Sequence, residues 1–394
     1  MDLSIDYSVH PAFAPHFPKE RPDPGPADRW FDRLDEIADD VRLRRQPSDA
    51  AARAMLEATR EFLASMKDAP LSGEARRLME AAVAQTAERF ALETGHRRRG
   101  LFFENRSDNA VAGQLMSDGF TSLQLDESEL ADLRDAMSAE MRTLEARRAA
   151  GDRNRLTGHA NLKAMRILHT FFGRTGVQEA LTKLYATPMS LEGFALALSH
   201  SNEGWYTGPY ADSGLPTART VQMHFDEDYW APKAMLYLND VRKENGAFCL
   251  HPTSHHWPKQ GARLEWRKRL SAAINAEIAS QSLLPAGRPP FSHAEPRKWL
   301  ASLPASMQMT DLPGDDVLDG TPLSNALLRD ERSLEGGPGS VFVFTGYDVL
   351  HRGGIVANGE RWALQIVFRP TPTLLKRAAK LKGSAVRRLR AWFK

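Results

Sequence analysis

The first part of the chain shows the hydrophobic spacing of amphipathic helices. Apolar residues recur there every three or four positions, as in Trp30, Leu34, Ile37 and Val41. This spacing places them on one helix face, which packs against other parts of a protein. We therefore predict a helical N-terminal extension over residues 27–109, used for packing or for dimerisation. The preceding residues 1–26 are Pro-rich and are predicted to be irregular.

A pattern of short strands follows the helical part. Residues 118–123 read as a short strand, and Asp126 begins an amphipathic helix that is predicted to run to about Arg148. Strand-like runs then dominate residues 218–250, and they return at 339–346 and 360–369.

A long stretch with a different character separates these strand-like runs. Residues 259–337 contain a basic helix, predicted from Glu265 to Ile278, and several Pro-rich loops.

A His-x-Asp triplet lies in one of the strand-like runs. His224-Phe225-Asp226 follows the alternating sequence Thr220-Val221-Gln222-Met223, whereas the triplet His293-Ala294-Glu295 lies among prolines, as in a loop. Residues two apart on a strand point to the same face. His224 and Asp226 could therefore converge on one metal ion, with Gln222 and Thr220 on the same face behind them.

Two residues far downstream could complete a metal site. His351 follows one strand-like run, and Arg361 opens the last one. Two imidazoles and one carboxylate can hold one face of an iron(II) ion and leave the opposite face open. A guanidinium nearby can bind the carboxylate of a co-substrate. Taken singly, each of these residues could equally belong to a core or to a turn.

Length and composition are those of an ordinary globular protein. With 394 residues, of which 42% are hydrophobic and 26% charged, the chain can form one large domain with an appendage. Its one cysteine, Cys249, excludes a disulfide within the chain, which fits a reducing compartment. Neither a secretory signal nor a run of about 18 apolar residues is visible, so we expect a cytoplasmic protein.

The end of the chain is strongly basic. Residues 371–394 carry eight basic residues and no acidic one, so the rest of the chain has a net charge of −6 although the whole has +2. Apolar residues are interspersed with these cations, which is typical of helices on anionic membrane surfaces. We predict a basic amphipathic tail over residues 373–394 that either contacts the inner membrane peripherally or packs on the body. The acidic body does not favour a nucleic-acid partner.

The order of the motifs resembles the phytanoyl-CoA dioxygenase family of iron(II)- and 2-oxoglutarate-dependent oxygenases. The resemblance covers roughly residues 110–370, and its first motif is Asp118-Gly119-Phe120. After the His224 triplet come Glu244-Asn245-Gly246 and the turn His251-Pro252-Thr253-Ser254-His255, which is similar to the family's Pro-Gly-Ser-His turn with Thr in place of Gly. Pro338-Gly339-Ser340 then precedes the strand that leads to His351.

This resemblance implies a fold and a set of metal ligands. The fold would be α+β with a mainly β core: a double-stranded β-helix, or jelly roll of the cupin kind, over residues 110–372, with helices packed outside. His224, Asp226 and His351 would be the catalytic residues that bind Fe(II).

The stretch of residues 259–337 is long in comparison with this family, and we therefore interpret it as an insertion. It could form a lid over a substrate, or it could only decorate the end of the fold.

The resemblance also implies co-substrates. Arg361 would bind the distal carboxylate of 2-oxoglutarate, which is consumed together with O2. The family often has a polar residue two positions after the distal histidine, where this chain has Gly353. Another group must then assist Arg361, and Gln222, Tyr237 and Thr345 are the candidates.

By the same resemblance the chain is expected to be a dioxygenase. It would hydroxylate a small-molecule or a lipid- or glycan-linked bacterial metabolite and release succinate and CO2. Asp226 favours hydroxylation, because related halogenases have a small residue there, but desaturation, ring closure and epimerisation stay open. The alternatives are a catalytically silent jelly roll used for binding or assembly, and a metal cupin that uses no 2-oxoglutarate. The chain could also form homo-oligomers.

Overall fold

The structure is a computed structural model that describes most of the chain. The described residues are 5–17, 25–42, 48–104, 109–150, 155–157, 161–201, 209–257, 261–280, 290–308, 314 and 316–371. The predicted basic tail, residues 373–394, lies outside these ranges.

Three long helices form the N-terminal extension, as the hydrophobic spacing predicts. They are α1 (Gly25–Arg42), α2 (Ser48–Ser65) and α3 (Gly73–Glu104). The Trp30 ring stacks on Phe62 with 4.8 Å between centroids, and its indole N–H donates to Thr59 Oγ1 at 3.1 Å. The turns at residues 5–17, which include the short 3-10 helix Ala14–His16, share the core of these helices.

A second group of helices, which includes α5, α7 and α8, covers one face of the main sheet. The group comprises α4 (Ala110–Ser117), α5 (Glu127–Ala136), α6 (Ser138–Ala149), α7 (Leu162–Arg174) and α8 (Val177–Leu184). Asp126 caps α5 in a capping box with Glu129. The single helix predicted to reach about Arg148 is instead two helices, because Met137 leaves helical geometry. The resulting bend keeps Met137 and Leu144 buried in the same core.

Two antiparallel sheets contain the strands of the described residues. The large sheet has the order β1 (Phe120–Gln124), β7 (Ser340–Phe344), β4 (Lys233–Tyr237), β9 (Glu360–Pro370), β3 (Met189–His200) and β2 (Arg155–Thr157). The small sheet has the order β6 (Arg332–Leu334), β5 (Phe248–Leu250) and β8 (His351–Arg352). His224 extends the small sheet through one bridge to His351.

The strand pairs are nested along the chain. β5 pairs with β6, β4 with β7, the segment at His224 with β8, and β3 with β9. Each pair encloses the previous one in sequence, and successive pairs alternate between the small and the large sheet. This arrangement of seven strands and the bridge at His224 is the double-stranded β-helix that was expected, and it confirms the predicted fold class.

A helical insertion separates β5 from β6. It contains α9 (Ala262–Ser280), α10 (Ala294–Ser302) and α11 (Pro322–Asp330), and α9 packs against α3 of the N-terminal extension. Strand β6 falls inside the range 259–337 that the sequence assigns to the insertion, and its pairing with β5 places it in the jelly roll. Among the helices of the described ranges, none is long and apolar enough to cross a bilayer.

Alternation along β7 separates two apolar cores. Val341 and Val343 face the covering helices, whereas Phe342 and Phe344 face the small sheet and meet Phe248 there. The His351 ring lies 4.9 Å from the Phe344 ring and 5.7 Å from the Phe248 ring, measured between centroids. The core between the sheets therefore reaches one of the predicted metal ligands.

Candidate metal centre

The segment that carries His224 is a series of turns, and the continuous strand predicted over residues 220–226 is wrong. Gln222 has a φ of 70°, in the left-handed region, which interrupts the alternation of side chains. The amides of Val221 and Met223 donate to the carbonyls of Ala218 and Thr220, at 3.0 and 3.1 Å. Only His224 forms a strand-like bridge, so Gln222 and Thr220 do not line up behind the ligands as expected.

Backbone hydrogen bonds bring the three predicted ligands together across the chain. The His224 amide donates to the His351 carbonyl at 2.9 Å, and the His351 amide donates to the His224 carbonyl at 3.0 Å. The Asp226 amide donates to the Gly346 carbonyl, just after β7, at 2.8 Å. The ends of both sheets thus fix the backbone at each ligand.

The side chains of these ligands converge on one point. One ligand atom from each of His224, Asp226 and His351 lies within 4.8 Å of the others. The Nε2 atom of His224 lies 3.7 Å from Asp226 Oδ1, and that of His351 lies 3.8 Å from Asp226 Oδ2. The His224 side chain is 44% exposed, whereas that of His351 is 5% exposed, so the cluster is open on one side.

In their neutral forms, both histidines present an unprotonated nitrogen to the cluster. The Nδ1 atom of His224 lies 2.6 Å from the Gln222 carbonyl, and that of His351 lies 2.9 Å from the Val349 carbonyl. Because a carbonyl oxygen only accepts, each Nδ1 carries the proton, which leaves a lone pair on Nε2 when the ring is neutral. Metal-binding histidines are held by their second nitrogen in this way.

The pKa values of the cluster leave a charged carboxylate on Asp226 and a neutral imidazole on His351. Burial lowers the pKa of His351 to about 3, so this ring is neutral. Burial would raise the pKa of Asp226, but the charges of Lys233, His351 and His224 hold it well below its ordinary value. Burial would lower the pKa of His224, but the hydrogen bond and charge of Asp226 raise it instead.

Asp226 supplies the clearest sign that these residues fit a metal ion. Its Oδ2 atom is buried and accepts no hydrogen bond from the described residues. A buried carboxylate oxygen without a partner is costly unless a cation compensates it. The three ligands can therefore hold a divalent metal ion.

Two residues beside Asp226 were not identified from the sequence. The Lys233 ammonium, on the inner face of β4, donates to Asp226 Oδ1 at 2.6 Å. A Cβ atom at Gly346 would lie 1.8 Å from Asp226 Oδ2, so only glycine allows the carboxylate to lie there. The one signal in the sequence that could have indicated Lys233 is its position as the first residue of an otherwise apolar strand.

Arg352 also connects the ligand segments, and sequence reasoning missed it. It follows His351 directly and forms a bidentate ion pair with Glu331, with N–O distances of 2.5 and 2.7 Å. Its Nη1 atom donates to the carbonyls of Arg219 and Val221, in the turns before His224. Arg352 therefore joins β8, the His224 segment and the end of the insertion.

Arg361 lies on the inner face of β9 and is largely buried. Its Nη1 atom donates to the Gly246 carbonyl and, at 3.5 Å, to the Gly354 carbonyl, and Nη2 donates to Ser199 Oγ at 3.2 Å. Gly353, where a polar residue was expected, lies close to the guanidinium. The arginine is thus held in a fixed position between the sheets.

The three candidate assistants of Arg361 lie in different settings. The Tyr237 hydroxyl donates to the Leu334 carbonyl at 2.9 Å and accepts from the Phe248 amide at 2.8 Å, so it joins the two sheets. Gln222 supports the His224 ring through its carbonyl, and Thr345 immediately precedes Gly346. Contacts of these side chains with a co-substrate stay predictions.

The turn after β5 also supports the site. Thr253, which replaces the family's glycine, has a φ of 62°, in the region that favours glycine. Ser254 Oγ accepts from the Leu350 amide at 2.9 Å and so binds the residue before His351. His255 interacts with the Met116 carbonyl at 2.7 Å through Nε2, away from the metal ligands.

Comparison with known proteins gives a limited result. No family model and no curated protein sequence matches this chain. Among solved structures, it is similar to AviO1 from Streptomyces viridochromogenes Tue57 (15% identity, 68% of this chain and 98% of that chain covered, TM-score 0.37). It is also similar to the epimerase SnoN in complex with Fe3+, alpha ketoglutarate and nogalamycin RO (15%, 68% and 84%, TM-score 0.36) and to EctD from S. alaskensis with bound Fe (15%, 66% and 75%, TM-score 0.34).

The strand order and the ligand cluster of the chain itself define its class. It is a double-stranded β-helix protein with two histidines and one aspartate that can hold a metal ion.

Proposed function

We propose that this protein is an Fe(II)- and 2-oxoglutarate-dependent oxygenase similar to the phytanoyl-CoA dioxygenases. The observation that carries the proposal is the meeting of two Nε2 atoms with a buried carboxylate oxygen that has no hydrogen-bond partner among the described residues. Two imidazoles and one carboxylate with an open side are the ligands typical of non-haem iron oxygenases. Iron and 2-oxoglutarate, when bound, would supply the oxidation of a substrate C–H bond by O2.

The residues of this chain would bind and orient the two reactants. His224, Asp226 and His351 would hold the metal ion, while the Lys233 ammonium keeps Asp226 Oδ1 engaged and leaves Oδ2 for the metal. Arg361, fixed by backbone carbonyls, would hold the distal carboxylate of 2-oxoglutarate.

For the substrate, we propose a small molecule or a lipid- or glycan-linked metabolite, with hydroxylation as the reaction. The carboxylate of Asp226 supports hydroxylation, since related halogenases have a small residue at the corresponding position. Peripheral membrane contact through residues 373–394 and self-association belong to the same proposal. Liposome flotation with and without that segment tests the membrane contact, and equal flotation would remove it.

An anaerobic titration of the metal-free protein with Fe(II) and 2-oxoglutarate tests the central proposal. We expect a visible metal-to-ligand charge-transfer band that is lost or weakened in Arg361→Ala and retained in Arg332→Ala, an exposed arginine on β6. Metal binding without such a band would favour a metal cupin that uses no 2-oxoglutarate. A protein that binds neither iron nor 2-oxoglutarate would favour the silent jelly roll.

A further inference from the structure

A buried polar cluster joins the N-terminal turns to the insertion. The hydroxyls of Tyr7 and Tyr210 donate to the two carboxylate oxygens of Asp316, one to each. Arg267 of α9 donates to the Tyr7 hydroxyl at 3.2 Å, and its Nη2 lies 3.6 Å from Asp316 Oδ2. Asp316 is only 5% exposed, so charged and phenolic groups hold it in place away from water.

The segment that carries Asp316 packs directly on the His224 turns. Gly314 lies so close to Met223 that a Cβ atom there would be 2.1 Å from the Met223 carbonyl oxygen. The buried Thr220 hydroxyl donates to the Gly314 carbonyl at 3.0 Å. The Asp316 cluster is therefore connected to the backbone one residue before a metal ligand.

Apolar packing reinforces this connection. Val317 is buried in one cluster with Met223 and Phe225, the two neighbours of His224, and with Leu350, the residue before His351. Ile5 from the N-terminal turns packs against the same cluster. The residues that flank both histidine ligands therefore pack in an apolar cluster to which the N-terminal turns and the insertion also contribute.

The His224 turns need such external support. Apart from the two reciprocal bonds with His351 and the bond from the Asp226 amide to Gly346, their backbone hydrogen bonds among described residues are local, and Gln222 is in the left-handed region. Strained conformations of this kind persist when the surrounding structure fixes them.

We propose that Asp316, held by Tyr7 and Tyr210, is a positioning residue of the metal centre. Through this residue the N-terminal turns set the affinity of the centre for its metal ion. This inference rests on the metal site of the proposed function. It assigns a role at that site to a part of the chain outside the jelly roll.

The affinity for Co(II), measured by absorbance titration of the full chain, tests this inference. A double variant with Tyr7→Phe and Tyr210→Phe removes both hydroxyls without changing the packing volume. We expect its Kd for Co(II) to rise about tenfold, as for other groups that orient metal ligands, and the Co(II) ligand-field bands to shift. Thr220→Val should have a similar effect, while Thr220→Ser, which keeps the hydroxyl, should retain the parent affinity.

Two controls separate positioning from general stability. Thr59→Val removes the buried hydrogen bond to Trp30 in the N-terminal helices and should leave the Kd and the bands unchanged. The effects of Thr220→Val and of the tyrosine pair should not add, because both act along one connection. Parent-like affinity in the double variant, or an equal loss in Thr59→Val, would overturn the inference alone. A parent that binds no Co(II) would overturn the proposed function and this inference with it.

Discussion

At the scale of single residues, the metal centre depends on a residue without a side chain as much as on the residues that supply ligands. His224, Asp226 and His351 supply the lone pairs, but Gly346 allows the carboxylate to lie between the rings. Lys233 holds one oxygen of this carboxylate and directs the other toward the histidines. The ligand triplet is visible in the sequence, whereas a glycine that matters only for its missing Cβ is not.

We predict that Gly346→Ala reduces metal affinity by at least about tenfold. The new methyl group would lie 1.8 Å from Asp226 Oδ2 and 3.1 Å from His351 Cε1, so the carboxylate must move away from the rings. Co(II) titration followed by absorbance measures the effect. Gly173→Ala on α7, where the methyl would meet no atom within 4 Å, is the matched control. Equal Kd values for the two variants would contradict the role of Gly346.

At the scale of elements, the periodicity of apolar residues predicted the helices, but it missed segments whose conformation depends on contacts with distant parts of the chain. The helices of the extension follow from local spacing, whereas the jelly-roll fold followed from the resemblance to an oxygenase family. The His224 segment alternates in sequence like a strand, yet it forms turns, because its partners are the insertion, both residues of β8 and Gly346 rather than one strand along its length. Likewise, a helix that spacing alone would continue ends at Met137, whose backbone leaves the helical region.

The start of α9 leads to a pH-dependent prediction for an element. Asp35 of α1 accepts a hydrogen bond from the Ala262 amide at 2.8 Å, and burial raises the pKa of this carboxyl to about 6. The native state then holds a proton that the unfolded chain releases near pH 4, so this group contributes stability at low pH that is lost as pH rises from about 4 to 6.

The variant Asp35→Asn keeps the acceptor without the charge. We therefore expect its free energy of unfolding, relative to that of the parent, to rise by about 1 kcal/mol when the pH is raised from 5 to 7.5. Urea denaturation of the metal-free protein at both pH values measures this change. Asp68→Asn, at an exposed position after α2, should keep the parent's pH profile. A parent and an Asp35→Asn variant with parallel pH profiles would contradict the assignment.

At the scale of the whole molecule, one continuous packing path runs from the N-terminal helices to the metal ligands. Helices α1, α2 and α3 share their core with Trp266 of α9. Leu264 of the same helix is buried with Met223, Phe225 and Leu350, which flank the histidines. The insertion is thus an internal support between the two parts of the chain, and the three should unfold as one unit.

This path predicts that a metal ion stabilises the N-terminal helices, although they supply no ligand. An ion that binds only the native state at about 100 times its Kd adds roughly 2.7 kcal/mol to the free energy of unfolding, and a cooperative unit shares that gain. We expect Co(II) to slow hydrogen exchange of the α1 and α2 amides together with those of β8. In Asp226→Asn, which removes the charged ligand, both effects should disappear, whereas Asp240→Asn, at an exposed position, should keep them. Protection confined to the jelly roll would mean that the extension unfolds independently, and the insertion would then transmit no stability between them.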